Sequence, residues 1–307
     1  MEANWRLASR QKALWKRAAI LQAVRAFFVE RGYLEVETPQ RIPAPAPESY
    51  IDAIPADGWF LHTSPELCMK RLLASGYERL FQICHCWRAG ERGSLHIPEF
   101  SILEWYRSGT DYHSLMHECE ALLPYVAHAI GLPNPFYYRA RPVDLASPWE
   151  KISVREAFWR YARVSPEEAL ERDAFDALMV SEIEPHLGVG RPTFLLDYPV
   201  QRGALARPKP DDPSLAERFE LYIAGLELAN AFSELTDVEE QRARFTREET
   251  YRRSLGRQPY PTAHKFLDEL SNMPPSAGIA LGVDRLVMLF TDAATIDEVV
   301  AFTPEDL

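Results

Sequence analysis

Two stretches, residues 79–88 and 99–107, constrain this chain's fold more than any other feature. Each is a strand-length run rich in apolar residues, and a polar loop carrying Gly90 and Gly93 joins them, the pattern of two strands folded back on each other. Alternate residues of a strand share a face. Phe100, Ile102, Glu104 and Tyr106 therefore line one side of the second strand, and Ser101, Leu103 and Trp105 the other. On the first strand Leu80, Gln82, Cys84, Cys86 and Arg88 share a side. Such a hairpin can gather a guanidinium, an aromatic ring, a carboxylate and a phenol on one surface, a set suited to a phosphate, a flat base and an ammonium group. A sheet in which Arg88 and Glu104 simply pair with each other fits the same pattern.

The flanking sequence reads as helices and further strands in antiparallel pairs. Apolar residues recur at helical spacing over about 4–31, where Gly32 ends the run. An extended piece, 33–38, leads into Pro39 and a proline-rich loop at 43–47. Residues 59–63 read as a strand and 65–74 as a helix with Pro65 in its first turn. Helices are expected over 112–130, 153–163, 166–184, 237–255 and 262–272, and strands near 193–198 and 217–234. A final strand, 277–281, runs into a helix at about 282–290. Without strict βαβ alternation the expected class is α+β, an antiparallel sheet flanked by helices. One domain over 1–307, with a helical insertion at about 140–190, is the simplest partition.

Composition narrows the function. The longest apolar runs are too short to cross a bilayer, and Met1–Arg10 has no apolar signal core, so a cytoplasmic protein is expected. A net charge of −11 does not favour a protein that grips nucleic acid through its phosphates. The dense basic stretch Arg6, Arg10, Lys12, Lys16, Arg17 and Arg25 reads as the solvated face of an amphipathic helix, with a docking face for an acidic partner as the alternative. Cys84-His85-Cys86 has no second Cys/His pair to complete a tetrahedral metal site, so reduced, partly buried thiols are expected there.

Two further segments carry chemistry. Asn230, Phe232 and Glu234 fall on one face of a strand, whereas Glu220 and Glu227, seven apart, converge only if the strand breaks or bulges, most naturally at Gly225. Convergent, the two carboxylates would suit Mg2+ on nucleotide phosphates; otherwise they are surface glutamates of an edge strand. Gly278–Gly282 is an apolar strand whose last glycine allows close backbone approach, followed by a helix with Arg285 in its first turn, able to meet an anionic phosphate.

Together and in this order, these elements resemble the signature motifs of class II aminoacyl-tRNA synthetases. Residues 32–39 look like motif 1 with its terminal proline, 81–88 and 96–106 like motif 2, and 278–285 like motif 3. Thr63-Ser64-Pro65-Glu66 and Glu227–Leu235 are similar to the lysine-specific segments of the lysyl enzyme. The resemblance spans nearly the whole chain. It implies that ATP and Mg2+ are used to form an aminoacyl-adenylate. Arg88 would hold the α-phosphate and steady the attacked phosphorus, Phe100 would stack on adenine, and His96 and Arg285 would engage the β- and γ-phosphates. Glu220 and Glu227 would hold Mg2+, with Glu91, Ile97, Leu228 and Gly282 completing the nucleotide site. Glu66, Glu104, Tyr106, Asn230 and Glu234 would recognise the ammonium groups of a lysine-like substrate, alongside Ser64, Pro65, Phe232 and Ala280. Several buried carboxylates repel one another unless cations neutralise them, and a diamino acid supplies two. Motif 1 implies a homodimer.

Some positions depart from the lysyl pattern. Motif 1 ends at Pro39, which leaves no room before it for an anticodon-binding barrel, so stable tRNA binding is not expected. Chains of this make-up resemble the elongation factor P–lysine ligase family, which transfers lysine, preferably (R)-β-lysine, to a lysine side chain of elongation factor P. Ser64 and Ala280 match that family and would reshape the amino-acid end of the pocket. Gly90 stands where motif 2 usually carries a glutamate, with Glu91 next, so the backbone of Ala89 and Gly90 would serve the adenine. Ile97 stands where asparagine is usual and offers no polar side-chain contact. Charging of tRNA or another carrier protein, and a non-catalytic regulator that only binds ligand, are the competing readings.

Overall fold

A computed structural model describes residues 5–203 and 205–307. The strand pair read from the sequence is its centre. Strands β1 (Leu34–Glu35), β2 (Arg79–Trp87), β3 (Glu99–Ser108), β4 (Glu150–Ser153), β5 (Thr193–Pro199), β6 (Leu215–Ile223), β7 (Leu226–Ser233) and β8 (Ser276–Gly282) form one sheet. Their spatial order is β1-β2-β3-β8-β7-β6-β5-β4. The outermost pairs, β1–β2 and β5–β4, are parallel and all others antiparallel. The α+β expectation holds, with a mixed rather than purely antiparallel sheet.

One face of the sheet is closed by three helices, α1 (Gln11–Glu30), α3 (Tyr112–Ala129) and α5 (Val283–Thr291), α2 being Glu66–Ala74 and α4 Val238–Ser254. Phe81, Leu103, Trp105, Ile279 and Leu281 point into this core and meet Phe28, Leu122 and Leu286. Three aromatic rings meet at its centre, with Phe28 stacked on Phe81 at 4.9 Å and tilted against Trp105 at 5.2 Å. Fully burying one such ring stabilises by roughly 1.5–3 kcal/mol. The opposite face is covered only at its ends. At one end Leu67, Leu73, Leu80, Phe245 and Phe266 pack together, and at the other Ile152, Phe158, Phe175, Leu195 and Tyr222. Between these clusters the sheet face stays open.

Register explains why that gap is polar and deep. Gln82, Glu104, Ala280, Asn230 and Glu220 form one cross-strand row, and Leu80, Tyr106, Gly278, Phe232 and Arg218 the next. The central strand β8 contributes only small residues to this face, Ser276, Gly278, Ala280 and Gly282. Large side chains there would fill the gap.

Several boundaries differ from the sequence expectations. The first helix splits at Arg10 into Trp5–Ser9 and α1, and residue 4 lies outside the described residues. Arg10 pairs with Asp306, Arg17 with Asp284 and Arg25 with Glu35, so half of the basic stretch is held by the chain's own carboxylates. The Arg6 side chain lies outside the described residues. The extended piece at 33–38 keeps only two residues in the sheet. The helix expected over 166–184 is broken into short α, π and 3-10 turns at Arg172–Ala174 and beyond.

Residues 217–234 form two strands, not one. The chain reverses at Ala224-Gly225, both with positive φ, and the bulge falls later, at Leu228. Tyr222 pairs with Glu227, but Leu221 pairs with Ala229, leaving Leu228 extra. That one residue turns Glu227 onto the face shared by Glu220 and Asn230.

A methyl group on Gly278 would lie 2.2 Å from Tyr106 Cε1 and 2.5 Å from Glu234 Oε1. Gly278→Ala should therefore lose about 1–3 kcal/mol of stability, read as a lower midpoint of chemical denaturation. An unchanged midpoint would mean that both side chains move aside freely.

Candidate active site

Two connected regions occupy the open face. The first is a cavity of about 380 Å³ above Ile102, Ala280 and Gly282, walled by Arg88, Glu91, His96, Ile97, Phe100, Glu220, Glu227, Leu228, Asn230 and Arg285. Arg88 follows the end of β2, where its backbone N–H donates to Pro98 O at 2.9 Å. Its guanidinium lies over the Phe100 ring at 4.9 Å, with Nε buried and unpartnered. Arg88 does not pair with Glu104, so the plain ion-pair reading of the hairpin is not realised. Ala89 and Gly90 are exposed and outside this wall; Ala89 N–H donates to Asp52 O at 2.7 Å.

Arg285 sits in the first turn of α5, where it donates to Glu227 O at 2.7 Å and Glu227 Oε2 at 3.2 Å. Its Nη2 is 2.7 Å from His96 Nε2. Burial and this guanidinium hold the His96 imidazole below its ordinary pKa, in its neutral form near neutral pH. Glu220 accepts from Tyr198 at 2.6 Å, Tyr222 at 2.7 Å and Arg218 at 2.6 Å. Burial still pushes its carboxyl up, against the pull of Arg218. Glu184, a carboxylate the sequence reading missed, joins this group through Tyr222 at 3.3 Å, and burial with Glu227 and Glu220 nearby raises it to about 6.

Behind the cavity lies a buried cluster of polar side chains. Glu104 is 1% exposed. Ser64 Oγ donates to its Oε1 at 2.6 Å and Tyr106 OH to its Oε2 at 2.7 Å. Burial, reinforced by Glu66, pushes the Glu104 carboxyl up to about 8 despite both hydrogen bonds. Pro65 caps α2 and Glu66 opens it. One helical turn on, Lys70 reaches Glu66 at 2.6 Å and Glu234 at 2.5 Å, its ammonium 5.0 Å from the Phe232 ring centre. Burial alone would pull Lys70 down; Glu234 and Glu66 raise it above its ordinary value. Glu234 keeps Oε1 without a hydrogen-bond partner.

The structure thus brings Ser64, Glu66, Glu104, Tyr106, Phe232 and Glu234 into one cluster. Asn230 and Ala280 stand where it meets the cavity. Lys70 was missed because a lysine in an amphipathic helix reads as a surface residue. Its i,i+4 spacing from Glu66 was the available signal. The chain thus supplies one neutralising ammonium itself. Also missed was Glu48, in the loop where this cavity meets a second, outer one of about 630 Å³; burial pushes its carboxyl up to about 7, with Arg88 opposing.

For Mg2+, implied by the family resemblance, Glu220 and Glu227 offer the oxygen donors that ion takes, on neighbouring strands beside the cavity. Among the described residues no three carboxylates bring their oxygens within 4.8 Å of one another. The donor set suits an ion that keeps phosphate and water ligands rather than one caged by protein. No helix among the described residues is long and apolar enough to cross a membrane.

Comparison with known proteins agrees with this geometry. The family model for class II tRNA synthetases (D, K and N) matches residues 3–306. An elongation factor P–(R)-β-lysine ligase of Erwinia tasmaniensis is 37% identical, with 98% of each chain covered. Those of Proteus mirabilis and Salmonella arizonae are 37% and 38% identical, covering 98% of this chain and 97% and 98% of theirs. The chain belongs to the class II tRNA synthetase family, in its branch of elongation factor P–(R)-β-lysine ligases.

Proposed function

We propose that this protein uses ATP to activate (R)-β-lysine, or lysine, as its adenylate and transfers the aminoacyl group to a lysine side chain of elongation factor P. One observation carries the substrate class. Glu66, Glu104 and Glu234 are three carboxylates served by a single ammonium, that of Lys70, so two carboxylates remain to pair, once ionised, with the two ammonium groups of a diamino acid. The acceptor is the one named in the relatives.

In this reading the substrate lies with its ammonium groups among Glu104, Glu66 and Glu234 and its carboxylate toward Arg88. That carboxylate attacks the α-phosphorus and pyrophosphate leaves, so catalysis is positioning and charge stabilisation rather than side-chain nucleophilicity. Arg88 meets the α-phosphate, Arg285 and His96 the outer phosphates, and Phe100 the adenine. Glu91, Ile97, Leu228 and Gly282 complete the nucleotide end, while the backbone at Ala89 and Gly90, outside the cavity wall, would reach the adenine only by moving inward. Glu220 and Glu227 would hold Mg2+, which when bound offsets charge on the phosphates. In the second half-reaction the acceptor amine attacks the acyl carbon and AMP departs. Ser64, bonded to Glu104, and Ala280, in register with it, fit a pocket shaped for a shifted amino group. A homodimer through 32–39 fits the exposed Leu34 within that segment and the exposed Val29 just before it. Residues 1–307 form one catalytic domain in this reading, with the 140–190 region as its insertion, acting in the cytoplasm without stable tRNA binding.

Removing one member of a buried charge pair costs roughly 3–5 kcal/mol. Glu104→Gln and Glu234→Ala should each lower kcat/KM for the amino acid by two or more orders of magnitude in amino-acid-dependent ATP–pyrophosphate exchange. Exchange unchanged in both variants would sink the assignment, and (R)-β-lysine should exceed lysine in the wild type.

The raised Glu104 carboxyl gives a pH signature. It is neutral below about 8 and pairs with an ammonium only when ionised. The kcat/KM should therefore climb as pH rises toward about 8, and Glu104→Gln should flatten that limb. The sign for stability is opposite. A carboxyl raised from 4.5 to about 8 favours the folded, protonated form at low pH, and that advantage is lost as pH rises through about 8. Thermal scans of the ligand-free protein should fall over this window, and fall less in Glu104→Gln.

A further inference from the structure

Beside the cavity, on the same face of the sheet and outside all of the chemistry assigned above, two thiols and an imidazole meet. Cys84 and Cys86 share a face of β2, and His62 comes from the segment just after the short strand Trp59–Leu61. One ligand atom from each lies within 4.8 Å of the other two, and all three residues are buried. Cys84 and Cys86 pack against Ile102, with Phe100 and Ala280 alongside.

The imidazole is oriented for ligation. His62 Nε2 lies 2.7 Å from His85 O, the contact of an N–H donating to a carbonyl. That bond fixes the tautomer and leaves the Nδ1 lone pair free; Nδ1 is buried with no hydrogen-bond partner, on a residue 1% exposed. Metal-bound histidines characteristically anchor their second nitrogen on a carbonyl in this way. A disulfide is the weaker reading: residues two apart on one strand have Cα atoms about 6.6 Å apart, near the upper limit for that bond, and both cysteines are free.

We propose that His62 Nδ1, Cys84 Sγ and Cys86 Sγ form a site for a thiophilic closed-shell cation, Zn2+ or Cu+. Ligand atoms about 2.0–2.3 Å from one ion stand roughly 4 Å apart, so the present separations need little movement. Two thiolates and an imidazole suit these soft ions and not Mg2+. Ser64, the donor to Glu104, follows His62 by two residues. An ion here ties the segment leading to the amino-acid cluster onto β2. The sequence hid this because His62 lies far from Cys84 along the chain, whereas the adjacent His85 points to the opposite, solvent side and pairs with Glu99.

The test uses the full-length, reduced protein titrated with Co2+ as a spectroscopic stand-in, then with Zn2+, and separately with Cu+ against a colorimetric chelator. One equivalent of Co2+ should give thiolate-to-cobalt absorption that Zn2+ abolishes, and Zn2+ should raise Tm. Cys84→Ser and Cys86→Ser should each weaken binding at least tenfold, whereas Cys68→Ser and Cys119→Ser leave it intact. Retention of Cu+ without Co2+ or Zn2+ binding would support the site and identify the ion as Cu+. Failure of the wild-type protein to hold one equivalent of any of the three would overturn the proposal, as would unchanged binding in the Cys84→Ser/Cys86→Ser double variant. Pyrophosphate exchange is measured separately, so neither outcome bears on the adenylate chemistry.

Discussion

The structure turns on burying carboxylates that cannot all be charged without partners. Glu104, Glu66 and Glu234 meet on the open face of one sheet, in a setting where a lone ion costs several kcal/mol. Serine and tyrosine hydroxyls serve Glu104, and Lys70 bridges the other two. What remains is a charge deficit and an unpartnered oxygen on Glu234. In the proposed reading that deficit selects the ligand by its charge.

The rest of the fold sets this cluster beside the open cavity. The rows across β2, β3, β8, β7 and β6 stack polar groups on one face, while their alternates build an aromatic core with α1, α3 and α5 on the other. The glycine–alanine–glycine face of β8 provides depth. The bulge at Leu228 swings Glu227 to the side of Glu220. At the cavity Arg285 joins Glu227 to His96, and Asp284, its neighbour in α5, is held by Arg17 and the Ser101 N–H. The first turn of that helix is thus anchored from both the sheet and the N-terminal helix.

Much of this was legible in the sequence. The period-2 pattern of 79–88 and 99–107 placed Arg88, Phe100, Glu104 and Tyr106 on shared faces, because a strand's geometry leaves little freedom once the burial side is fixed. The motif order supplied the class II fold. Partners distant in sequence were less visible. Nothing local marks Lys70 as the partner of Glu234, His62 as a neighbour of Cys84, or Arg17 as the partner of Asp284. The hairpin hidden in 217–234 was read as one strand because apolar residues run through it, and Gly225 was taken for a bulge where it makes the turn. The broken helices of 166–184 have no strong periodic signal to delimit them.

The central claim joins two statements, that the cluster takes a lysine-like diamino acid and that the activated product goes to a protein lysine. Mass spectrometry of purified elongation factor P, after incubation with this protein, ATP and (R)-β-lysine or lysine, tests both at once. The account predicts a mass increase of one aminoacyl group on a single lysine, dependent on ATP and larger with (R)-β-lysine. Unmodified elongation factor P in the presence of demonstrable amino-acid-dependent pyrophosphate exchange would contradict the acceptor, and absence of both would contradict the account as a whole.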